Sequence, residues 1–488
     1  MKRKVPIMLR SPIDSCLFAG VLMLMAACSV GPDYIRPSAE APPVFKEMSG
    51  WKRAEPRDDA IKGPWWEMFN DPQLNALEQQ VNISNQNVAA AEAQFREARA
   101  MAQAATAGYF PTLTAGASAA RAMTSGTMGS TSRSGETFTD YRLSVDLSWE
   151  LDIWGKVRRT VEAGRATAQA SAADLEGARL SMQAQLAQDY FQLRALDAQK
   201  QLLDTTVADY ARFLDLTRNR YASGVASRAE VLQAETQLKS TQAQAIDVGV
   251  QRSQMEHAIA VLIGKPASIF SIPPSPLAAL PPDIPAGLPS QLLERRPDVA
   301  GAERRVAAAN AQIGVTKAAY FPTVTLSGSA GLESSNLSKW LTWPSRLWSL
   351  GPAVSETLFD GGLRGAQMDQ ARAAYDASVA AYRQTVLTGF QEVEDNLAAL
   401  RILDEEARVQ GEAVKAAQQS VVFTTNQYRA GTASSLDVVV TQTTELANER
   451  TAVGILGNRM NASVLLVKAL GGGWNASALP TNEDLGKR

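Results

Sequence analysis

The stretch Tyr109-Phe110-Pro111-Thr112 decides the fold, because it returns 211 residues later as Tyr320-Phe321-Pro322-Thr323. The flanks repeat as well, since residues 87–108 align without a gap with residues 298–319. In each copy an Ala-rich helical pattern crosses a proline into an alternating β pattern, and a long Pro-free helical pattern follows. The chain is therefore one structural unit written twice.

The strand pattern is sharpest between residues 141 and 151, where apolar and polar residues alternate without an error. A half-buried soluble strand alternates in this way, but the length also fits a tilted membrane strand of about 9–11 residues. We predict strands at 112–121 and 140–151 in the first unit and at 323–332 and 349–359 in the second. The last is the weakest, because Pro352 and Glu356 interrupt its pattern.

Five tryptophans lie near the ends of these predicted hairpins, namely Trp149, Trp154, Trp340, Trp343 and Trp348. They fit the aromatic girdles of membrane barrels, although ordinary packing would also use them.

Four membrane strands are too few for a closed barrel, and an open sheet edge is not viable in lipid. Several copies must then share one ring. Two, three or four copies would give about eight, twelve or sixteen strands, and the residues alone do not choose among these.

Long helices follow each strand pair. No proline occurs in residues 112–265 or 353–479, and the first helix, predicted for residues 156–222, would be ~100 Å long. Apolar residues recur at steps of three and four, typical of a coiled-coil seam, at Leu186, Tyr190, Leu193, Leu196, Leu203, Val207, Tyr210 and Leu214.

Each long helix ends in the same Tyr-x-x-Gly pattern, Tyr221 with Gly224 and Tyr428 with Gly431, 207 residues apart. A second helix then returns, at about 228–262 and 436–469. The predicted organisation comprises a signal peptide (1–27), an arm (28–70), a first repeat (71–265), a linker (266–290), a second repeat (291–470) and a tail (471–488).

The N-terminus has the form of a secretory signal, with basic residues followed by about twelve apolar ones. Its end, Leu24-Met25-Ala26-Ala27-Cys28, predicts lipid attachment at Cys28, although a stray free cysteine is the alternative. The other cysteine, Cys16, would leave with the signal, so no disulfide within the mature chain is expected.

Catalytic chemistry is absent from the sequence. The one histidine, His257, lies on a polar helical stretch, and no phosphate-binding glycine motif occurs. Acid pairs such as Asp58-Asp59 and Glu405-Glu406 are typical of solvated faces. We expect no enzyme activity, no metal and no cofactor apart from the lipid, and the net charge of −2 gives no sign of nucleic-acid binding.

Several motifs together resemble the TolC/OprM-type outer-membrane efflux lipoproteins, the NodT family. They are residues 28–37 (CSVGPDYIRP), Trp65-Trp66, Asp71-Pro72, both Tyr-Phe-Pro phrases, residues 293–298 (LERRPD), residues 358–362 (LFDGG) and residues 428–431 (YRAG). The resemblance covers essentially the whole mature chain.

This resemblance implies a homotrimer in the outer membrane of a Gram-negative bacterium, with a twelve-stranded β-barrel on a long coiled-coil periplasmic tunnel. The fold class is thus a membrane β-barrel joined to an α-helical barrel. A periplasmic adaptor and an inner-membrane pump, usually of the resistance-nodulation-division type, are the implied partners. The function expected is a passive exit duct, the alternatives being a lipid-anchored brace of the envelope and a diffusion porin.

The resemblance also suggests where the tunnel narrows. Family members often carry an acidic ring near the turn tips, whereas the matching stretch here has Val440 at that place. Leu436 and Val440 are four residues apart on one helix face, with Asp437 beside them. We expect an apolar constriction there, or simple helix packing. The turns at residues 221–227 and 428–434, which end at Ser227 and Ser434, are the candidate adaptor contacts.

Overall fold

The computed structural model describes residues 30–48, 63–125, 127, 135–277, 280–284 and 294–486. Cys28 and the predicted signal lie outside these residues. In chain order the helices and strands are α1 (Pro72–Ser84), α2 (Gln86–Ala107), β1 (Thr112–Met123), β2 (Thr137–Leu151), α3 (Lys156–Ala222), α4 (Arg228–Leu262), α5 (Pro297–Ala318), β3 (Thr323–Ser334), β4 (Arg346–Ser355), α6 (Leu363–Ala430), α7 (Ser435–Ala469) and α8 (Asn482–Gly486).

The sequence pattern before the first Tyr-Phe-Pro phrase predicts one helix from Leu74 to about Ala107, but this segment forms two helices, α1 and α2. Asn85 causes the break, because its side-chain oxygen accepts hydrogen bonds from the backbone N–H groups of Asn87 and Val88. Its amide nitrogen also donates to the carbonyl of Leu262, at 2.7 Å. A side chain that caps a helix in this way begins a new helix.

The four strands form one antiparallel sheet in the order β1-β2-β3-β4. Strands β2 and β3 belong to different repeats, so their pairing joins the two units. The prediction of a fourth strand at residues 349–359 is wrong at both ends, because β4 begins at Arg346 and ends at Ser355. Its neighbour β3 begins at Thr323, which pairs with Ser355, so the following residues have no strand to pair with.

Along the central strand β2, apolar side chains are exposed and a polar side chain between them is buried, the reverse of a water-soluble protein. On β2, Leu143 and Val145 point outward and are exposed, whereas Ser144 between them is buried. Asp146 lies on the Ser144 side and accepts hydrogen bonds from the hydroxyls of Ser144 and Ser329, at 2.8 and 2.6 Å. The strand register carries both patterns across the sheet, because Val145 lies level with Ala115 and Ala330 while Asp146 lies level with Thr114 and Ser329.

The sequence pattern predicts the four long helices at residues 156–222, 228–262, 362–430 and 436–469, and the structure agrees to within one residue at each end. Helices α3 and α6 have 67 and 68 residues, and α4 and α7 have 35 each. Seven of the eight predicted seam residues on α3 are buried, and the eighth, Val207, packs partly buried against them. Helix α3 contacts α2, α4, α5 and α7, and α6 contacts α5 and α7. Among the described residues, no helix combines the length and hydrophobicity needed to cross a bilayer.

A buried charge network ties the linker to the first helical hairpin. The Asp197 carboxylate accepts hydrogen bonds from Arg194 at 3.1 Å, from Arg252 at 2.7 Å and from the backbone N–H of Ser275 at 2.9 Å. The Asp197 side chain is 3% exposed. The equivalent residues of the second repeat, Asp404 and Arg459, also form a salt bridge, but the Asp404 side chain is 70% exposed.

Candidate functional site

The two Tyr-Phe-Pro phrases are each fastened by a tryptophan. The indole N–H of Trp149 donates to the carbonyl of Tyr109 at 3.1 Å, and that of Trp154 donates to the carbonyl of Pro322 at 2.8 Å. The ring of Trp154 also stacks on Phe321, with centroids 4.8 Å apart. Both tryptophans therefore hold the points at which helix becomes strand. The other three, Trp340, Trp343 and Trp348, lie toward the opposite end of the sheet, and the last two are exposed.

The N-terminal arm begins at this same junction. The backbone N–H of Val30 donates to the carbonyl of Trp154, at 3.1 Å. The predicted lipid site, Cys28, is only two residues earlier in the chain.

From Val30 the arm follows the second repeat. The carbonyl of Pro32 accepts a hydrogen bond from Asn310 at 3.0 Å, and Tyr34 donates to Glu303. Gly31 approaches α5 so closely that a Cβ in its place would lie 2.6 Å from the Cα of Gly314. The arm is thus fitted to helix α5 rather than lying loosely over it.

Both helix turns are built in the same way. Gly224 and Gly431 take positive φ values of 75° and 82°, a conformation that glycine adopts without strain. Ser227 and Ser434 then cap the returning helices, each in a capping box with the acid three residues later. The turns therefore end sharply and present short exposed loops.

The two turn tyrosines differ in position. Tyr221 is 47% exposed, whereas Tyr428 is buried at 2%. Arg220 of the first turn lies over the Tyr428 ring at 4.4 Å and donates to the Tyr428 carbonyl at 2.7 Å. Of the predicted turn residues, Tyr428 thus joins the two turns, and its ring is not on the surface.

The predicted constriction residues share one face of α7. Leu436 and Val440 are 53% and 55% exposed, while Val438 between them is fully buried. The equivalent positions in the first repeat, 207 residues earlier, are Ala229 and Gln233. The apolar pair therefore belongs to the second repeat alone.

Asp437 forms part of the N-terminal cap of helix α7. Its carboxylate accepts from the Ser434 hydroxyl at 2.7 Å and from the Ser434 backbone N–H at 2.8 Å. These hydrogen bonds, the hydroxyl first, lower the pKa of Asp437 below its ordinary value, so it stays ionised.

Sequence reasoning missed a cleft further along the tunnel helices, where Asp209 of α3 faces Glu445 and Glu449 of α7. A signal was available, because two acids four residues apart on one helix repel each other. Burial and the neighbouring acids raise the pKa of Glu445 to about 7. No group of acidic, His or Cys side chains within the described ranges is placed to hold a metal ion.

The protein family described as Outer membrane efflux protein matches this chain in two segments, residues 77–265 and 288–472. The chain belongs to that family. The two matches fall on the two repeats, in agreement with the internal duplication.

Relatives of nearly the same length agree. The probable efflux pump outer membrane protein TtgC of Pseudomonas putida is 30% identical, covering 92% of this chain and 94% of its own. The pyoverdine export outer membrane protein OpmQ of Pseudomonas aeruginosa is 31% identical, covering 96% and 97%. Among solved structures, the outer-membrane channel OprN has a TM-score of 0.85 at 30% identity, covering 92% of this chain and all of its own. The Vibrio cholerae outer membrane protein VceC has a TM-score of 0.78 at 27% identity, covering 84% and 98%.

This efflux family member is an outer-membrane channel of a tripartite efflux system, with its helices forming a periplasmic tunnel. It works with an inner-membrane pump and a periplasmic adaptor. The alternative, a lipid-anchored structural brace, is not favoured, because the relatives of this chain are efflux channels.

Proposed function

We propose that three copies of this chain close one twelve-stranded barrel and one continuous tunnel, and that the assembly is a passive exit duct for small molecules. The observation that carries the proposal is the four-stranded sheet with its two free edges. Strands β1 and β4 stand at opposite edges, and all twelve residues of β1 are exposed in the single chain. Free edges in lipid leave backbone hydrogen bonds unmade. Pairing β1 of one copy with β4 of the next satisfies them in a ring.

The two faces of the sheet support a wall between lipid and water. The exposed apolar face carries Leu113, Leu143, Val145 and Leu350, and the opposite face carries Ser144, Asp146 and Ser329. An apolar outside with a polar inside is the arrangement of outer-membrane barrels. The resemblance to TolC/OprM-type proteins supports three copies among the two, three or four that the strand count allows.

We propose further that Cys28 carries covalent lipid. Two or more acyl chains hold a protein stably at a membrane, whereas a single chain does not. The position of Val30 beside Trp154 would bring that anchor level with the end of the barrel. Mass spectrometry of the N-terminal peptide would detect the acyl groups, and Cys28→Ser should remove them.

The partners proposed are an adaptor that contacts the exposed turns and a pump of the resistance-nodulation-division type. The exposed tip residues Tyr221 and Val225, at 47% and 65%, are the apolar groups available to an adaptor in the first turn. The cargo class is drugs or other toxic small molecules, by analogy with relatives named for toluene and antibiotic efflux.

Native mass spectrometry of the full chain in detergent tests the assembly. We expect a species of three times the protomer mass, which forms ion-conducting channels in planar bilayers. A monomer or a dimer as the only species would reject the twelve-stranded ring. A trimer that conducts no ions, even after the constriction is widened by substitution, would reject the duct.

A further inference from the structure

A cleft of about 760 Å³ lies among helices α3, α6 and α7. This volume is within the range of about 300–1,000 Å³ that small-molecule sites occupy. Part of its wall is apolar, formed by Leu202, Phe213, Leu216, Val421 and Leu446. The cleft contains none of the predicted constriction residues.

Three carboxylates line the cleft, those of Asp209, Glu445 and Glu449. Two of them have partners, because Asp209 pairs with Arg212 and Glu449 accepts from the Gln418 amide at 2.7 Å. Within the described part of the chain, no ion pair neutralises Glu445. Two arginines, Arg212 and Arg429, complete the charged lining. Both are exposed, and Arg212 is the one paired with Asp209.

Gln442 supplies a second and independent observation. Its side chain is 8% exposed and lines the cleft, three residues before Glu445. Its Oε1 is buried and accepts no hydrogen bond from any described residue. Since buried acceptors in folded proteins almost always have a donor, this oxygen is open to a donor from a molecule bound in the cleft. The Tyr210 hydroxyl, which also lines the cleft, is a second buried polar group without a hydrogen-bond partner among the described residues.

The missing partner is a positively charged donor with an apolar body. The acids do not form a group that could hold a metal ion, so the cation is organic. An anion would meet the unneutralised Glu445 and a bare amide oxygen. We propose that this cleft binds an amphipathic organic cation with N–H groups, which donates to Gln442 Oε1 while Glu445 balances its charge.

The proposal deepens the efflux function, on which it rests for the identity of the ligand as cargo, but binding itself is measured on purified protein. Glu445 must be ionised to balance the charge. Burial, then Glu449 and Asp209, raise its pKa to about 7. Affinity should therefore fall ~10-fold between pH 8 and pH 6, in proportion to the ionised fraction of Glu445.

Ethidium, an aromatic cation with two amino groups, is the probe, and fluorescence polarisation of the full chain in a neutral detergent is the measurement. We expect saturable binding at pH 8 and ~10-fold weaker binding at pH 6. Glu445→Gln should weaken binding at pH 8 and abolish its pH dependence. Gln442→Leu should weaken binding but keep the pH dependence. Glu405→Gln, the same charge change on an exposed face of α6, is the matched control and should leave both unchanged.

The sulfonated dye 8-anilinonaphthalene-1-sulfonate distinguishes a cation site from a merely apolar cleft, because its binding should not weaken in Glu445→Gln. The proposal is overturned by an absence of saturable ethidium binding, or by equal losses in Glu445→Gln and Glu405→Gln. A protein that conducts ions but binds no ethidium rejects this site and leaves the duct intact. A protein that binds ethidium as predicted but forms no channel rejects the duct and leaves this site intact.

Discussion

Replacing Asp197 with Asn tests whether charge holds the linker to the tunnel helices. The carboxylate joins Arg194 and Arg252, whose side chains are 4% and 17% exposed, to the backbone of Ser275. Removing one partner of a buried pair costs about 3–5 kcal/mol, because the remaining charge stays buried. Here Arg252 keeps Glu256, at 3.4 Å, so we expect the lower end, ~3 kcal/mol.

Hydrogen exchange followed by mass spectrometry measures the loss of stability locally, in the peptides around Asp197 and Ser275. A local destabilisation of ~3 kcal/mol raises the opening constant ~150-fold, at about 1.4 kcal/mol for each tenfold. The peptide that contains Ser275 should therefore exchange ~100-fold faster or more in Asp197→Asn.

The duplication provides the control. Asp404 stands 207 residues after Asp197 and pairs with Arg459 at 2.5 Å, but its side chain is 70% exposed. An exposed pair contributes about 1 kcal/mol or less, so Asp404→Asn should change local exchange about fivefold at most. Equal effects from the two substitutions, or a change below about fivefold in Asp197→Asn, would refute the argument that burial makes the first pair strong.

Three further predictions concern the tunnel, the cleft and the sheet. Val440→Asp should raise the cation preference of single channels in planar bilayers, and Gln233→Asp should not; equal effects would reject the apolar constriction. The folded pKa of Glu445, about 7, lies above its ordinary 4.5, so the native state binds more protons between these values and loses stability as the pH rises through them. Glu445→Gln should therefore melt higher than the parent at pH 8 and nearly equally at pH 4.5, and a constant difference would contradict this. Gly331→Ala places a Cβ into the backbone of β2, whereas Gly351→Ala meets nothing within 4 Å; thermal melting should show about 1–3 kcal/mol of destabilisation for the first alone.

The long helices could be located from sequence because their ends carry strong local signals. Glycine with positive φ stops each helix and a serine capping box starts the next, and both depend on residues close in the chain. The end of β4 had no such signal. It depends on where β3 begins, which is a partner in space rather than a neighbour in sequence.

The site was less predictable for the same reason. That Leu436 and Val440 share an exposed face follows from helical periodicity, and the structure places them so. The cleft requires α3 and α7 to lie side by side, with residues some 240 positions apart. The only local signal available was the spacing of Glu445 and Glu449, and it was missed. The capping role of Asp437 could have been read from Ser434, three residues earlier.

The number of residues between equivalent positions of the two repeats is constant along the helices and changes only in the segment that contains the strands. The offset between them is 211 residues at the Tyr-Phe-Pro phrases and 207 at the helix caps Ser227 and Ser434. The four-residue difference thus arises between the start of β1 or β3 and the start of the following long helix. Residues added outside the membrane only lengthen a loop, whereas a turn of helix added to one repeat would leave its tip ~5 Å beyond the other. The reach of this duct across the periplasm can therefore change only by matched insertions in both halves of the gene.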